Sequence, residues 1–296
     1  MDPRRYQIAA LALLLAYGLF WLRFDLRPDV VLVLAGTAMA TQWGCWRAVL
    51  RPPVDYKSAI ISALSLCLLL RTESLLVASF AALVTIASKF AIRVGRKHVF
   101  NPTNVGIAAT LAVTSGAWVS PGQWGDAAFF ALLVACIGLL VVTRAARADV
   151  TLAFLAAYTA LLVGRSLWLG EPMTIPLHRL QSGALLIFAF FMISDPKTTP
   201  DSRLGRIAFA CIVAAGAYYV HFRLFRPNGL IWSLVVCSPL VPLIDAGGRY
   251  AEMVRARVRR GARLSDWGAA RGVLRVLRRP RGHEALQPRV AGSARP

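Results

Sequence analysis

Two runs of polar residues interrupt an otherwise apolar chain, and both suit the holding of an anionic or carbonyl-bearing group. The first is Lys97-His98-Val99-Phe100-Asn101-Pro102-Thr103-Asn104-Val105-Gly106. Proline suits the first turn of a helix, and an asparagine beside it can cap unpaired N–H groups. A helix start of this kind presents donors and partial positive charge, which suit a phosphate, a carboxylate or a flavin carbonyl. The same residues also make an ordinary capped start to an apolar helix. The second run is Ser182-Gly183-Ala184, then the aromatics Phe188, Phe190 and Phe191, then Ser194-Asp195-Pro196-Lys197-Thr198-Thr199-Pro200-Asp201. Its small residues admit a neighbouring backbone or a planar ligand at close range. Its polar end reads either as a ligand loop or as a simple interfacial loop. Together the runs nominate Lys97, Asn101, Pro102, Asn104, Ser182, Gly183, Asp195, Lys197 and Thr198 as cofactor-binding residues.

Other chemistry finds little support. Cys45, Cys67, Cys136, Cys211 and Cys237 lie far apart with no C-x-x-C pair, and the four histidines are scattered. No metal site or disulfide is expected from this spacing. There is no P-loop, no G-x-S-x-G and no dinucleotide fingerprint. Electron chemistry would need a cofactor from outside these motifs. No residue is nominated as catalytic. Lys89 and Asp245 lie at the ends of apolar runs, where reaching out to water is the default reading.

The elements that must position these groups follow from composition. Of 296 residues, 57% are apolar and 16% charged, and the mean hydropathy is +0.58. So much apolar surface cannot all turn inward, which excludes a soluble single-core protein. The net charge is +20, a value that in a soluble chain would suggest nucleic acid. Its distribution argues otherwise. After Asp245 the last 51 residues hold 13 Arg against Glu252, Asp266 and Glu284, half of the net charge. This stretch carries no folded nucleic-acid motif, and a basic tail lying on anionic lipid explains it more simply. Within it, Arg271, Arg275, Arg278 and Arg279 interleave with Val273, Leu274, Val276 and Leu277 at a spacing that fits a basic amphipathic helix, while the final Gly/Pro/Arg-rich residues fit disorder. Nucleic acid is not expected as a partner; membrane lipid is.

Apolar runs at about 6–22, 29–45, 58–70, 74–92, 103–119, 127–143, 149–168, 181–194, 206–222 and 229–244 predict ten spans. The first, after Arg4 and Arg5, lacks a small-residue cleavage site and reads as a retained span. With the N-terminus inside, inside segments carry 14 Lys and Arg and outside loops carry 7. A multi-pass protein of the cell (inner) membrane with both termini cytoplasmic is expected.

An internal repeat sharpens this. Arg27-Pro28-Asp29-Val30 aligns with Arg147-Ala148-Asp149-Val150, Ser58-Ala59 with Ser182-Gly183, and Phe100-Asn101-Pro102 with Phe225-Arg226-Pro227. Five spans per half requires opposite orientations, the inverted repeat of transporter-like folds. Ser58–Leu70 and Ser182–Ser194 offer only 13 residues each, about 20 Å of helix against a core of about 30 Å. They are expected to end inside the membrane and line a cavity, unless they are tilted or longer spans. The expected fold is an all-α membrane protein of about ten transmembrane helices. It has two inverted five-helix repeats (about 6–120 and 126–245) with short broken helices at their interface, followed by a basic cytoplasmic tail, 246–296.

At these residues the chain resembles the RnfD/NqrB family, the flavin-bearing membrane subunits of the Rnf and sodium-pumping NADH:quinone reductase complexes. Ser88-Lys89, Lys97 and Phe100-Asn101-Pro102-Thr103-Asn104-Val105-Gly106 are similar to the family's K…FNPAxxGY. His178…Ser182-Gly183-Ala184…Ala189-Phe190-Phe191…Ser194-Asp195-Pro196, with Gly205-Arg206, is similar to HxxSGA…AFFxxTDPxT…GR. Pro227-Asn228-Gly229 and Val241-Pro242-Leu243-Ile244-Asp245 resemble its last span. The compact form and the opening Asp2-Pro3-Arg4-Arg5-Tyr6-Gln7-Ile8-Ala9 resemble the short branch associated with enediyne biosynthetic clusters (UnbU-type proteins).

Family members esterify FMN to a threonine in an S-x-A-T segment. Here the loop from Thr114 to Gly125 lacks that segment, and Trp118 stands where the acceptor would be. The resemblance therefore implies a noncovalent flavin (FMN or riboflavin), or a quinone, between the halves, with electrons passed to other redox or membrane subunits. The alternative is a transporter for a small molecule or ion on the same scaffold, and a third reading is a structural subunit that anchors a partner through its tail.

Overall fold

A computed structural model of the chain describes residues 2–22, 24, 26–49, 54–95, 97–120, 137–143 and 146–255. The chain divides into two units, Met1–Gly248 and Arg249–Pro296. The amphipathic stretch around Arg271–Arg279 and most of the sixth apolar run lie outside the described residues.

The first half holds α1 (Pro3–Phe20), α2 (Pro28–Val49), α3 (Tyr56–Leu69), strand β1 (Leu70–Thr72), α4 (Leu75–Ala91), strands β2 (Arg93–Val94) and β3 (Lys97–His98), α5 (Pro102–Val113) and strand β4 (Ala117–Val119). The second half holds α6 (residues 137–143), α7 (Ala148–Leu169), α8 (Thr174–Leu180), α9 (Gly183–Ile187), α10 (Arg203–Phe222), α11 (Gly229–Cys237) and α12 (Leu240–Arg255). A π-helical turn, Phe188–Met192, continues α9. The all-α expectation holds, with two antiparallel two-stranded ribbons added: β1 with β4 and β2 with β3.

Local sequence sets the boundaries. Asp2, Ser74, Asn101 and Ser202 each accept a hydrogen bond from a backbone N–H in the first turn of the helix that follows, which satisfies donors a helix start leaves open. Gly170, at φ 68°, ends α7 in a left-handed turn that glycine adopts without steric cost.

Among the described residues, α7 and α10 are long and apolar enough to cross a membrane. The count rises to four if each bent pair, α8 with Gly183–Met192 (51°) and α11 with α12 (43°), is one span. Helices α3, α4 and α5 have 14, 17 and 12 residues, so length alone does not make each a full crossing. Where the sequence suggests a fifth span to 119, the helix stops at Val113 and the chain returns as β4 beside β1, with Arg71 opposite Trp118.

Packing repeats between the halves. Helix α4 lies against α2 and α5, as α10 lies against α7 and α11, and α5 meets α11. Two close crossings show how the small residues are used. A Cβ on Gly106 of α5 would fall 1.7 Å from Thr85 Oγ1 of α4, and one on Gly216 of α10 would fall 2.4 Å from Ser233 Oγ of α11. The hydroxyl and the glycine have exchanged helices between the halves. Ser233 Oγ donates to Val213 O at 2.7 Å, whereas Thr85 Oγ1 is buried without a partner among the described residues.

Candidate functional site

The site grows from the break after α9. Residues Phe188–Met192 wind as a π-helix, closed by Ile193 N–H to Phe188 O at 3.0 Å. A π segment that ends at once leaves carbonyls without helical donors, and such turns concentrate at functional sites. Side chains from three places supply the missing donors. Thr151 Oγ1 donates to Ala189 O (2.8 Å), Ser194 Oγ to Phe190 O (2.5 Å) and Asn101 Nδ2 to Met192 O (3.1 Å).

Above this break lies a cavity of about 1090 Å³. The bent α8–α9 pair supplies His178, Arg179, Ser182 and Phe188 to its wall, α7 supplies Tyr158, and α10 supplies His221. Asn228 and Gly229 close it from the start of α11, and Leu69, Met192 and Ile231 also line it. Asn228 holds φ 61°, ψ 34°, a left-handed conformation that asparagine tolerates better than most residues. Gly229 is required for a second reason: a Cβ there would sit 2.7 Å from Ala217 O. The wall is aromatic as well as polar. Tyr158 stacks on Phe154 (5.7 Å, 9°), and Phe154 meets Phe188 at 5.1 Å.

Arg179 is the charged group of this cavity. Its guanidinium contacts His221 Nε2 and stacks over Phe222 at 5.0 Å. Among the described residues it has no carboxylate partner, so it is placed to meet an anionic or carbonyl oxygen. Sequence reasoning nominated neither Arg179, His221 nor Tyr158. They come from three separate helices, and no local motif unites them.

The nominated residues fall in three places. Ser182 lines the cavity, and Gly183, behind it, is buried as the first residue of α9. Asn101, Pro102 and Asn104 are buried next to its floor. Asn101 Oδ1 accepts from Asn104 N–H while its amide holds Met192. Asn104 Nδ2 donates to Ile231 O at 3.1 Å, and Asn104 Oδ1 is buried without a partner among the described residues. Both asparagines thus grip residues that line the cavity.

Lys97, Asp195, Lys197 and Thr198 gather at the far end of Gly183–Met192, a rod of about 15 Å at 1.5 Å per residue. Lys97 Nζ donates to Thr199 O (2.9 Å) and to Asp245 (2.8 Å), and pairs with Asp201 (2.6 Å). Asp245 also accepts from Asp201 N–H at 2.7 Å. The loop itself is tied to Asp195, whose carboxylate accepts from Lys197 N–H and whose carbonyl accepts from Thr198 and Thr199 hydroxyls.

Two default readings are corrected. Asp245 does not reach out to water but is a buried partner of Lys97. Lys89, 4% exposed, turns inward to Gln42 Oε1 (2.9 Å) and Ser58 Oγ (3.2 Å); polar partners on α2 and α3 replace the water it would otherwise seek. Beside it His98 Nδ1 is buried without a partner among the described residues. Burial first, then the charges of Lys197, Arg93 and Lys89, pushes His98 down to about 4.

Similarity to a known family covers most of these segments. The sequence profile of the NQR2, RnfD, RnfE family matches residues 103–252, half of the chain. A subunit of the ion-translocating oxidoreductase complex of Tolumonas auensis is 37% identical over 71 residues, 24% of this chain and 20% of that protein. The corresponding protein of Escherichia coli O139:H28 is 28% identical over 131 residues, 44% of this chain and 32% of that protein. The chain thus spans a third or less of the length of these curated relatives. With the matched profile running from the capped start of α5 through the π-helical break to α12, the chain belongs to the NQR2, RnfD, RnfE family.

Proposed function

We propose that this chain is an integral membrane subunit of an ion-translocating oxidoreductase complex, holding a noncovalent flavin (FMN or riboflavin) or a quinone in the cavity above the π-helical break. The observation that carries the reading is the cavity itself. Its volume of about 1090 Å³ lies just above the range typical for small-molecule sites, about 300–1,000 Å³, roomy enough for a flavin or quinone head. The donor chemistry fits such a group. Phe188 and Tyr158 offer faces for a planar ring, Arg179 and Asn228 offer donors to its carbonyls or to a phosphate, and Gly229 keeps the wall thin. A bound flavin or quinone supplies one- and two-electron chemistry. The chain's own residues bind it, orient it and keep water away. Asn101 and Asn104 act one step behind, fixing Met192 and Ile231. The ring of Lys97, Asp201 and Asp245 fixes the loop that ends the break.

The same reading has about ten spans in two inverted repeats, both termini cytoplasmic, and electrons exchanged with other subunits of the complex. The recurrence of α2–α4–α5 packing as α7–α10–α11 supports the repeat. The test is a spectrum of the purified chain, with fluorescence read again after denaturation. Flavin absorbance that leaves with the supernatant on denaturation is the expected result. No flavin absorbance, and no binding signal on adding FMN, riboflavin or a quinone analogue, would overturn it.

The repeated packing also favours a second reading, a transporter without redox chemistry. It predicts flux of a small molecule or ion into vesicles without any electron donor, and absence of flux across a substrate panel excludes it.

A further inference from the structure

Outside the cavity, a second concavity of about 490 Å³ opens between α7 and α10 near their C-terminal ends. These two helices run side by side in one direction. Asp149 at the start of α7 pairs with Arg206 at the start of α10, and Arg165 near the end of one lies 4.4 Å over Phe222 at the end of the other. They are also the two described helices long and apolar enough to cross a membrane, and only 33% of each apolar window is covered by the protein. The groove therefore opens toward lipid.

Its lining has two characters. Along the helices it is apolar, with Gly164 in its floor. A Cβ at Gly164 would meet nothing within 4 Å, so the space above it is real. At the helix ends it becomes aromatic and cationic, with Trp168, Tyr218, Phe222, Arg165 and Arg223. Trp168 is 88% exposed, the setting in which tryptophan marks a membrane–water interface. Arg165 is paired with Glu171. Arg223 has no carboxylate partner among the described residues. The groove's polar end thus carries two arginines, Arg165 and Arg223, against a single recorded carboxylate partner, Glu171, among the described residues.

We infer that this groove seats one anionic phospholipid, its phosphate between Arg165 and Arg223 and an acyl chain along Gly164. Charge complementarity selects the headgroup, since a phosphate diester accepts from two guanidinium groups at once. The apolar trough above it selects a lipid over a free anion. The inference rests on the membrane assignment and is independent of any redox role for the cavity.

The test is native mass spectrometry of the 296-residue chain in detergent, titrated separately with phosphatidylglycerol, phosphatidylcholine and inorganic phosphate. One tightly held phosphatidylglycerol is expected above the weaker adducts that the arginine-rich tail contributes in every variant. Arg223→Gln is expected to weaken that one adduct about tenfold. Gly164→Leu, starting from a Cβ position with open space around it, fills the trough and is expected to abolish the adduct while the thermal unfolding temperature does not fall. Equal adducts in the parent and both variants would overturn the proposal. So would equal retention of phosphatidylcholine, or loss in Arg223→Gln with none in Gly164→Leu. Displacement by inorganic phosphate at equal concentration would reassign the site to a free anion. A partner protein held there in place of lipid would reassign it to an interface.

Discussion

Asn104 on α5 donates its side-chain amide to the backbone carbonyl of Ile231 on α11 at 3.1 Å. Each residue lies three positions after the asparagine that starts its helix, Asn101 and Asn228. The bond therefore ties the first turn of α5 to the first turn of α11, where the two helices meet. The other face of the same side chain, Oδ1, finds no partner among the described residues.

That asymmetry fixes an order of variants. Asn104→Leu removes one donor and one unsatisfied acceptor together, a change that can approach neutrality. Asn104→Asp instead turns a carboxylate toward the Ile231 carbonyl in a buried site, which costs several kcal/mol unless it takes up a proton. Thermal unfolding of the detergent-solubilised protein is expected to fall further for Asp than for Leu. The reverse order would refute the assigned amide orientation.

Gly106→Ala is expected to cost about 1–3 kcal/mol through overpacking, because the new methyl meets Thr85 Oγ1 and, at 2.9 Å, the Ala81 carbonyl. Gly164→Ala, with open space around it, should gain up to about 1 kcal/mol from helix propensity. Unfolding midpoints moving in opposite directions is the check.

Lys97→Met strands Asp245, a buried carboxylate, and is expected to cost about 3–5 kcal/mol. Adding Asp245→Leu should recover part of that loss, because the orphaned charge goes with it. A double-mutant cycle with no coupling would show that the pair is not formed.

His98 makes stability fall with acid. Its folded-state value of about 4 lies below the ordinary histidine value, so the unfolded chain binds the proton first. Stability is full above about pH 6.5, declines as pH drops toward 4, and is then level with respect to this group. After screening for partial exposure, the loss is on the order of 2 kcal/mol. His98→Gln should flatten the profile over that window, and an unchanged slope would assign it elsewhere.

Arg179→Leu is expected to weaken flavin or quinone binding by about 1.5–3 kcal/mol, the range for a hydrogen bond to a charged group. Lys97→Met should leave the affinity of the folded fraction unchanged, because Lys97 does not line the cavity. Equilibrium titration by flavin fluorescence quenching distinguishes the two.

Local grammar made some of this legible in the sequence. Asn101 beside Pro102 reads as a capped helix start and is one, and the short segments at Ser58 and Ser182 do become short helices. The partner of Lys97 was not legible, because Asp201 and Asp245 lie more than 100 residues away and meet it only through folding. Lys89 misled for a related reason: a lysine at a helix end looks destined for water until Gln42 and Ser58 arrive from other helices. The cavity wall needed three helices at once. The π-helical turn has no composition of its own; it shows only in which side chains come to serve its carbonyls.

The exchanged positions of glycine and hydroxyl at the two crossings make the halves non-interchangeable despite their common packing. Helix α4 brings Thr85 to its seam and α11 brings Ser233 to the other, so a hybrid pairing α4 with α11 would set hydroxyl against hydroxyl. A hybrid pairing α10 with α5 would set glycine against glycine and leave a gap. Each half carries a key cut for its own lock, so a glycine meets a hydroxyl at both seams only while every helix keeps the partner from its own half.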